Sequence, residues 1–194
     1  MPRPSRKHLI LETLAKELET NPGDRITTAA LARAVGVSEA ALYRHFASKA
    51  RMFEGLITFA EETVFARINQ ILEEEKGTEA RCAHVVYLLL GFAERNPGIA
   101  RLLLGDVLVG ERERLLERVE QFFERLEVQL RQVLRESAIR EDVTLRVGAE
   151  AGANLLTAFI EGRLHHFQRS RFKRSSLQNW EADWRVLSSG LFER

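Results

Sequence analysis

At 194 residues and 22.2 kDa the chain is long enough to bury a core, and it fits one large domain or a small domain fused to a larger one. Its longest apolar run, VVYLLLGFA at 85 to 93, falls far short of the roughly 20 residues that span a bilayer, and no apolar targeting segment follows the basic start PRPSRK. The single cysteine, Cys82, can form no intrachain disulfide and reads as a small buried hydrophobe, so a reducing cytosol is the expected compartment. The formal net charge is only +1, yet residues 1 to 52 hold nine Lys and Arg against five Asp and Glu, whereas the remainder holds twenty against twenty-three. A basic front on a mildly acidic body suits a nucleic-acid-binding head on a chain that does other work.

Three of the four prolines precede residue 23, and no stretch alternates as a half-buried strand does, which predicts an all-helical fold. From Pro4 to about Thr20, Leu9, Ile10, Leu14 and Leu18 recur at helical spacing, and NPGD at 21 to 24 marks a turn. Thr27 or Thr28 can cap a second helix running to about Ala34, Gly36 sits where a tight interhelix turn needs positive φ, and Ser38 can cap a third helix. Ser48 can cap a long fourth helix in which Phe53, Leu56, Ile57, Ala60, Val64, Ile68 and Ile71 share one face. Phe59 projects roughly 140° from the centre of that stripe, so it must be covered by something else or be exposed. A fifth helix, about 78 to 96, is apolar nearly all round and therefore central to the core; Asn96-Pro97-Gly98 ends it. A short helix near 99 to 105 precedes a long one at about 108 to 137, with Leu115, Val119, Phe122, Leu126, Leu130 and Val133 as its seam. In the last two helices, Gly148, Ala149, Ala151, Gly152 and Ala153 permit close helix approach, and Leu177, Trp180, Trp184, Leu187 and Leu191 step by 3, 4, 3 and 4. That spacing fits either monomer core or a dimer seam.

Helix, glycine turn, helix is the plan by which a second helix enters the major groove. Leu31, Ala32, Val35, Val37, Leu42 and Phe46 can close a small core and leave Ser38, Glu39, Ala40, Ala41, Tyr43 and Arg44 outside. Ala40 and Ala41 can lie against thymine methyls; Tyr43, His45, Lys49 and a hydroxyl from Thr27 or Thr28 suit phosphate oxygens. Arg3, Arg6 and Lys7 would add a flexible basic arm. The stretch TTAALARAVGVSEAALYRHFASKARMF, residues 27 to 53, resembles the head of the TetR family of bacterial DNA-binding regulators, whose pattern ends in LYxHFxSK. The resemblance implies a three-helix DNA-binding domain at 1–50 and a helical domain at 51–194. It also implies a homodimer on palindromic double-stranded DNA, formed largely by the last two helices, which marks Gly148, Gly152, Leu155, Phe159, Leu177, Trp180, Trp184 and Leu187 as its interface.

Nothing in the remaining sequence calls for catalysis: there is no phosphate-cradling glycine loop, no paired ligand motif, and no serine or cysteine beside a recognisable base. His165 and His166 are adjacent and point about 100° apart on a helix, a poor metal pair. Tyr87 and His84 read as core or rim residues. No cofactor, metal, membrane or small-molecule ligand is expected. The alternative is the common family role, a transcriptional repressor released by a small molecule in its C-terminal core.

A closer resemblance covers nearly the whole chain: SEAALYRHFASKARMFEGLI, ARINQILEEEK, LLLGFAERNPGIAR, QLRQVLRE and FIEGRLHHFQRSRFK are similar to the nucleoid occlusion factors within that family. This implies a cytoplasmic, nucleoid-associated protein whose DNA-bound dimer engages the C-terminal tail of the division protein FtsZ and antagonises ring assembly. The same resemblance marks Phe59, Arg67, Leu88, Gly91, Arg95 and Asn96 as the FtsZ-facing residues. Leu88, Gly91 and Arg95 are spaced i, i+3, i+7 and share a face, with Gly91 expected as a bare floor.

Overall fold

A computed structural model describes residues 5–21, 26–108, 113–140 and 143–193. Those residues form nine α-helices and one 3-10 turn: α1 (Arg6–Thr20), α2 (Thr28–Val35), α3 (Glu39–His45), α4 (Lys49–Glu74), α5 (Thr78–Arg95), α6 (Pro97–Leu103), the turn Asp106–Leu108, α7 (Glu113–Arg140), α8 (Ala149–Arg169) and α9 (Trp180–Leu191). No strand occurs among them, only an isolated bridge between Leu145 and Phe192. The all-helical fold is as predicted. The chain divides into two compact units, Met1–Glu61 with Asn96–Val119, and Glu62–Arg95 with Glu120–Arg194.

In the first unit, serine and threonine start the helices because their hydroxyls accept the orphan amides of a first turn. Ser5 accepts from His8 N at 3.2 Å, Thr27 from Ala30 N at 3.1 Å, Ser38 from Ala41 N at 3.2 Å and Ser48 from Arg51 N at 3.2 Å. Gly36 ends α2 in the left-handed region at φ 76°, and its amide returns to the Ala32 and Arg33 carbonyls. Ile10, Leu14 and Leu18 of α1 are fully buried with Leu31, Leu42, Met52, Phe53 and Ile57, each such side chain contributing about 1.5–3 kcal/mol. Leu9, predicted for the same stripe, is only half-buried.

The 96–119 segment joins this unit through α6. A Cβ on Gly98 would fall on the Ala15 carbonyl oxygen, so only glycine allows α1 and α6 to approach as they do. Arg101, 4% exposed, reaches the open end of α1: its Nη1 donates to the carbonyls of Leu18 at 3.2 Å and Asn21 at 2.9 Å, and its Nε to Asp106 Oδ2 at 2.9 Å. A guanidinium here serves the dipole and the unpaired carbonyls at once. The short helix starts at Pro97 rather than residue 99, since proline is favoured at the first helical position.

In the second unit α5 packs on α8 and α9. Arg81 plays the same part here as Arg101 does in the first unit, its Nε donating to Glu75 O at 2.6 Å and Nη2 to Leu72 O at 2.5 Å at the end of α4. Phe65 meets Phe122 with ring centroids 5.4 Å apart, and the whole predicted seam of α7 is buried. α5 departs from the expectation of burial all round: Val85, Val86, Leu89, Leu90, Phe92 and Ala93 are buried, but Tyr87 is 46% exposed. The step pattern at the C-terminus is interrupted too, because Leu177 lies in a turn closed by Asn179 at φ 62° and α9 begins only at Trp180.

Candidate functional site

The face that the sequence leads one to expect against nucleic acid is built on α2 and α3. Their relative placement is held by the Thr28 hydroxyl, which donates to Glu39 Oε2 at 2.8 Å, and by Leu31, Ala32 and Leu42 beneath. Ser38 and Ala40 are exposed, Ala41 is half-buried, and Tyr43 is 45% exposed, so α3 presents two methyls and a phenol outward. The hydroxyls of Thr27 and Ser38 accept amides through a lone pair and keep their protons for an oxygen acceptor. His45 and Lys49 are half-buried, with Lys49 Nζ 5.2 Å from the centre of the Phe53 ring. Arg6 and Lys7 are exposed but stand in the first turn of α1, so they are fixed on a helix and not on a flexible arm. Arg3 lies outside the described residues. The turn predicted at 21 to 24 falls outside them beyond Asn21.

The residues expected to face a protein partner are divided between the units. In the first, Phe59 is 40% exposed, off the buried stripe of α4 as its angle requires. It and Asn96 line a groove of about 360 Å³ whose apolar walls come from Leu11, Ala15, Leu56 and Ile99, with His8 and Glu12 paired at 3.1 Å on its border. In the second unit, Arg67, Leu88 and Arg95 line a groove of about 330 Å³ between α4 and α5. Gly91 is not a bare floor. It is buried, and the Arg95 guanidinium covers it, so that an added Cβ would stand 3.3 Å from Arg95 Nη1.

Among the other side chains lining these grooves, the sequence reads Tyr87 and His84 only as core or rim residues and does not single out Leu11. Tyr87 and His84 line the second groove as rim residues, one helical turn from Leu88 and Gly91 on α5, and His84 Nδ1 is 3.1 Å from Glu75 Oε1. Leu11 of α1 lines the first. Helical periodicity assigns a residue to a face but not to the neighbour that face meets, which is why α1 gave no signal. Tyr87 is backed edge-on by Trp180 at 5.6 Å, which stacks on Trp184 at 5.5 Å. Below it, Glu94 receives the Ser175 and Ser176 hydroxyls and the Leu177 amide, tying α5 to the segment before α9. Burial pushes the Glu94 carboxyl up, but those hydrogen bonds outweigh it and hold the group below its ordinary value.

The small-residue segment of α8 is used in part within the chain. A Cβ on Gly152 would stand 2.9 Å from Leu134 Cδ1 and 3.3 Å from Leu191 Cδ2, so this glycine admits α7 and α9 side chains. Gly148 is the exposed N-cap of α8, and nothing lies within 4 Å of where its Cβ would be. Leu155 is exposed, and Phe159, Leu177, Trp180, Trp184 and Leu187 are half-buried. On the same helix, burial raises the Glu161 carboxyl above its ordinary value, opposed by His165 and reinforced by Glu127. No group of three or more metal-ligating side chains occurs among the described residues, and none of their helices is long and apolar enough to cross a membrane.

Residues 10–56 match the bacterial regulatory proteins of the tetR family, and residues 76–192 match a tetracyclin repressor-like C-terminal domain of the SlmA-like type. The nucleoid occlusion factor SlmA of Shewanella woodyi is 54% identical over 192 residues, 99% of this chain and 98% of that one. Its counterpart from a Marinomonas species is 53% identical over 186 residues, 96% and 94%. Among solved structures, the fatty acid degradation regulator FadR of Bacillus halodurans superposes with a TM-score of 0.83 at 12% identity over the full length of both chains. The TetR family regulator PfmR of Thermus thermophilus gives 0.78 at 21% identity, over 99% of this chain and 100% of that one. At those identities the structures speak to the fold alone.

Proposed function

The chain belongs to the TetR family and, within it, to the SlmA nucleoid occlusion factors, and from that membership we propose that it acts as a DNA-bound homodimer that binds the FtsZ C-terminal tail and inhibits division-ring assembly over the chromosome. It is a DNA-binding nucleoid occlusion factor and not an enzyme. In this reading residues 1–50 supply the address. α3 lies in the major groove with Ala40 and Ala41 against the bases, while Thr27, Thr28, Ser38, Tyr43, His45 and Lys49 bind phosphates, with Arg6 and Lys7 close behind. Residues 51–194 supply the activity and pair through Leu155 and Phe159 of α8 and the half-buried stripe of Leu177, Trp180, Trp184 and Leu187. Symmetric pairing of two heads calls for a palindromic site.

The observation that carries the partner reading is the open face of α5. A helix otherwise committed to the core leaves Tyr87 and Arg95 exposed and Leu88 half-exposed along a groove. Apolar anchors with flanking guanidinium groups suit a short peptide that carries both an apolar side chain and a carboxylate. Phe59 offers a second apolar surface in the other unit, bordered by Asn96, His8 and Glu12.

The deciding experiment mixes the protein, a specific DNA site and FtsZ and follows polymer by sedimentation and light scattering. DNA-bound protein is expected to reduce polymer more than either component alone. Unchanged polymer, together with DNA release by a small molecule, would replace this reading by that of a ligand-released repressor.

A further inference from the structure

Between Glu161 and Glu181 the chain carries no Asp or Glu, its longest run without an acid, and within that run Arg169, Arg171, Lys173 and Arg174 fall in six consecutive positions. They lie where α8 ends and the link to α9 begins, in the second unit. All four are exposed, and among the described residues no carboxylate pairs with any of them. Arg163, one helical turn and more before them, is differently placed: it is committed to Asp183 and to the Ser176 and Gln178 carbonyls.

The backbone that carries the four cations is fixed from both sides. At the end of α8 the Arg171 amide donates to the Gln168 carbonyl at 2.8 Å and the Phe172 amide to the Phe167 carbonyl at 2.9 Å, while the two phenylalanine rings meet at 5.1 Å. A helix ending of this kind ordinarily takes glycine at its left-handed position. Here Arg171 occupies that position at φ 54° and Phe172 follows at φ 62°, a backbone that crowds both side chains and that glycine would adopt freely. On the far side of the link, Glu94 receives the Ser175 and Ser176 hydroxyls, and Ser176 Oγ also donates to the Leu90 carbonyl at 2.9 Å. Ending the helix would be served better by glycine than by Arg171, so the arginine has to be explained by what its exposed side chain meets.

We infer that the link from α8 to α9 is a second, sequence-independent site for the phosphate backbone of duplex DNA, separate from the helix-turn-helix, with Arg169, Arg171, Lys173 and Arg174 as its contacts. Six residues span at most about 20 Å, a length over which one DNA strand presents about six phosphates, so four cations on a fixed turn match the spacing of the polyanion. Guanidinium groups suit phosphate oxygens because their planar donors can bind two at once. A lipid surface is the poorer match. Leu164 and Phe167 are buried, Phe172 and Leu177 are half-buried, and no large apolar side chain between 163 and 179 is exposed to enter a bilayer. The DNA is either the flank of the duplex that the head holds or a second duplex, and the two are told apart by experiment.

The test compares the parent with a full-chain variant carrying Arg169→Gln, Arg171→Gly, Lys173→Gln and Arg174→Gln. Three probes are used: a bare operator duplex, the same operator flanked by random sequence, and a fluorescent random duplex offered to protein already seated on tethered operator. The variant is expected to bind the bare operator as the parent does, to lose about tenfold on one of the other two probes, and there to lower the slope of log K against log salt by about 2 or more. Loss on the flanked operator places the site on the same duplex; loss of capture places it on a second one. Parent-like behaviour on both overturns the inference, and so does an equal loss on all three probes. Loss confined to phosphatidylglycerol vesicles replaces DNA by a lipid surface and overturns it too. Arg171→Gly alone keeps the question open to refutation if the fourfold variant melts early: its melting temperature should hold or rise while binding on the same probe falls about twofold to threefold, and a lower melting temperature or unchanged binding would return Arg171 to a purely structural role.

Discussion

Phe59→Ala isolates what the first groove contributes. A phenylalanine presents about 200 Å² of surface, so the 40% left exposed amounts to about 80 Å². Covering that area with a partner is worth about 2 kcal/mol at 25 cal/mol per Å², close to a 30-fold change in Kd. The larger part of the ring is already covered by its own unit, and truncation there costs about 2 kcal/mol of stability, well inside the 5–15 kcal/mol of a typical domain. The variant is therefore expected to stay folded at 25 °C, to bind operator DNA as the parent does, and to bind the FtsZ tail 10- to 30-fold more weakly. Urea denaturation, DNA anisotropy and tail anisotropy on one preparation measure all three. An unchanged tail Kd would refute the assignment of Phe59 as an anchor; equal loss of DNA and tail binding would make it a folding residue.

Gly98→Ala should cost about 3 kcal/mol or more in urea denaturation, because the new methyl meets the Ala15 carbonyl, a backbone atom that cannot turn aside. Parent-like stability would mean that α1 and α6 are not in contact. Lys49→Ala should weaken DNA binding without changing sequence preference and reduce the slope of log K against log salt by about 1, while tail affinity persists. Gly91→Ala should separate stability from function: alanine is worth up to about 1 kcal/mol to a helix interior, but the methyl displaces the mobile Arg95 guanidinium now lying 3.3 Å away. A melting temperature that holds or rises while tail affinity falls is the expected pair of results, and intact tail affinity would remove Arg95 from the site.

The elements were legible wherever one residue's chemistry decides a local conformation. Thr27, Ser38 and Ser48 start helices as their hydroxyls dictate, Gly36 takes positive φ, and the stripes of α4 and α7 are buried nearly residue for residue, with Ile71 the half-exposed exception. Periodicity failed where a partner from another element decides the outcome. VVYLLLGF reads as apolar all round, yet Tyr87 is held out at a rim by Trp180, ninety-three residues further along the chain. Gly91 reads as an opening, yet Arg95 of the same helix fills it, so that glycine here accommodates a cation instead of exposing backbone. The arginines gave the least signal of all. In a sequence with 29 basic residues nothing distinguishes Arg81 and Arg101 from those coating α7, although both are buried and close the ends of helices that lie before them in the chain. A buried guanidinium is recognisable only from its acceptors, and those are carbonyls, which every residue has. It follows that the residues joining α6 to the DNA-reading head, Gly98 and Arg101, had to be found in three dimensions. They also place residues 96 to 108, far beyond the helix-turn-helix in sequence, among the parts that the head needs in order to hold its shape.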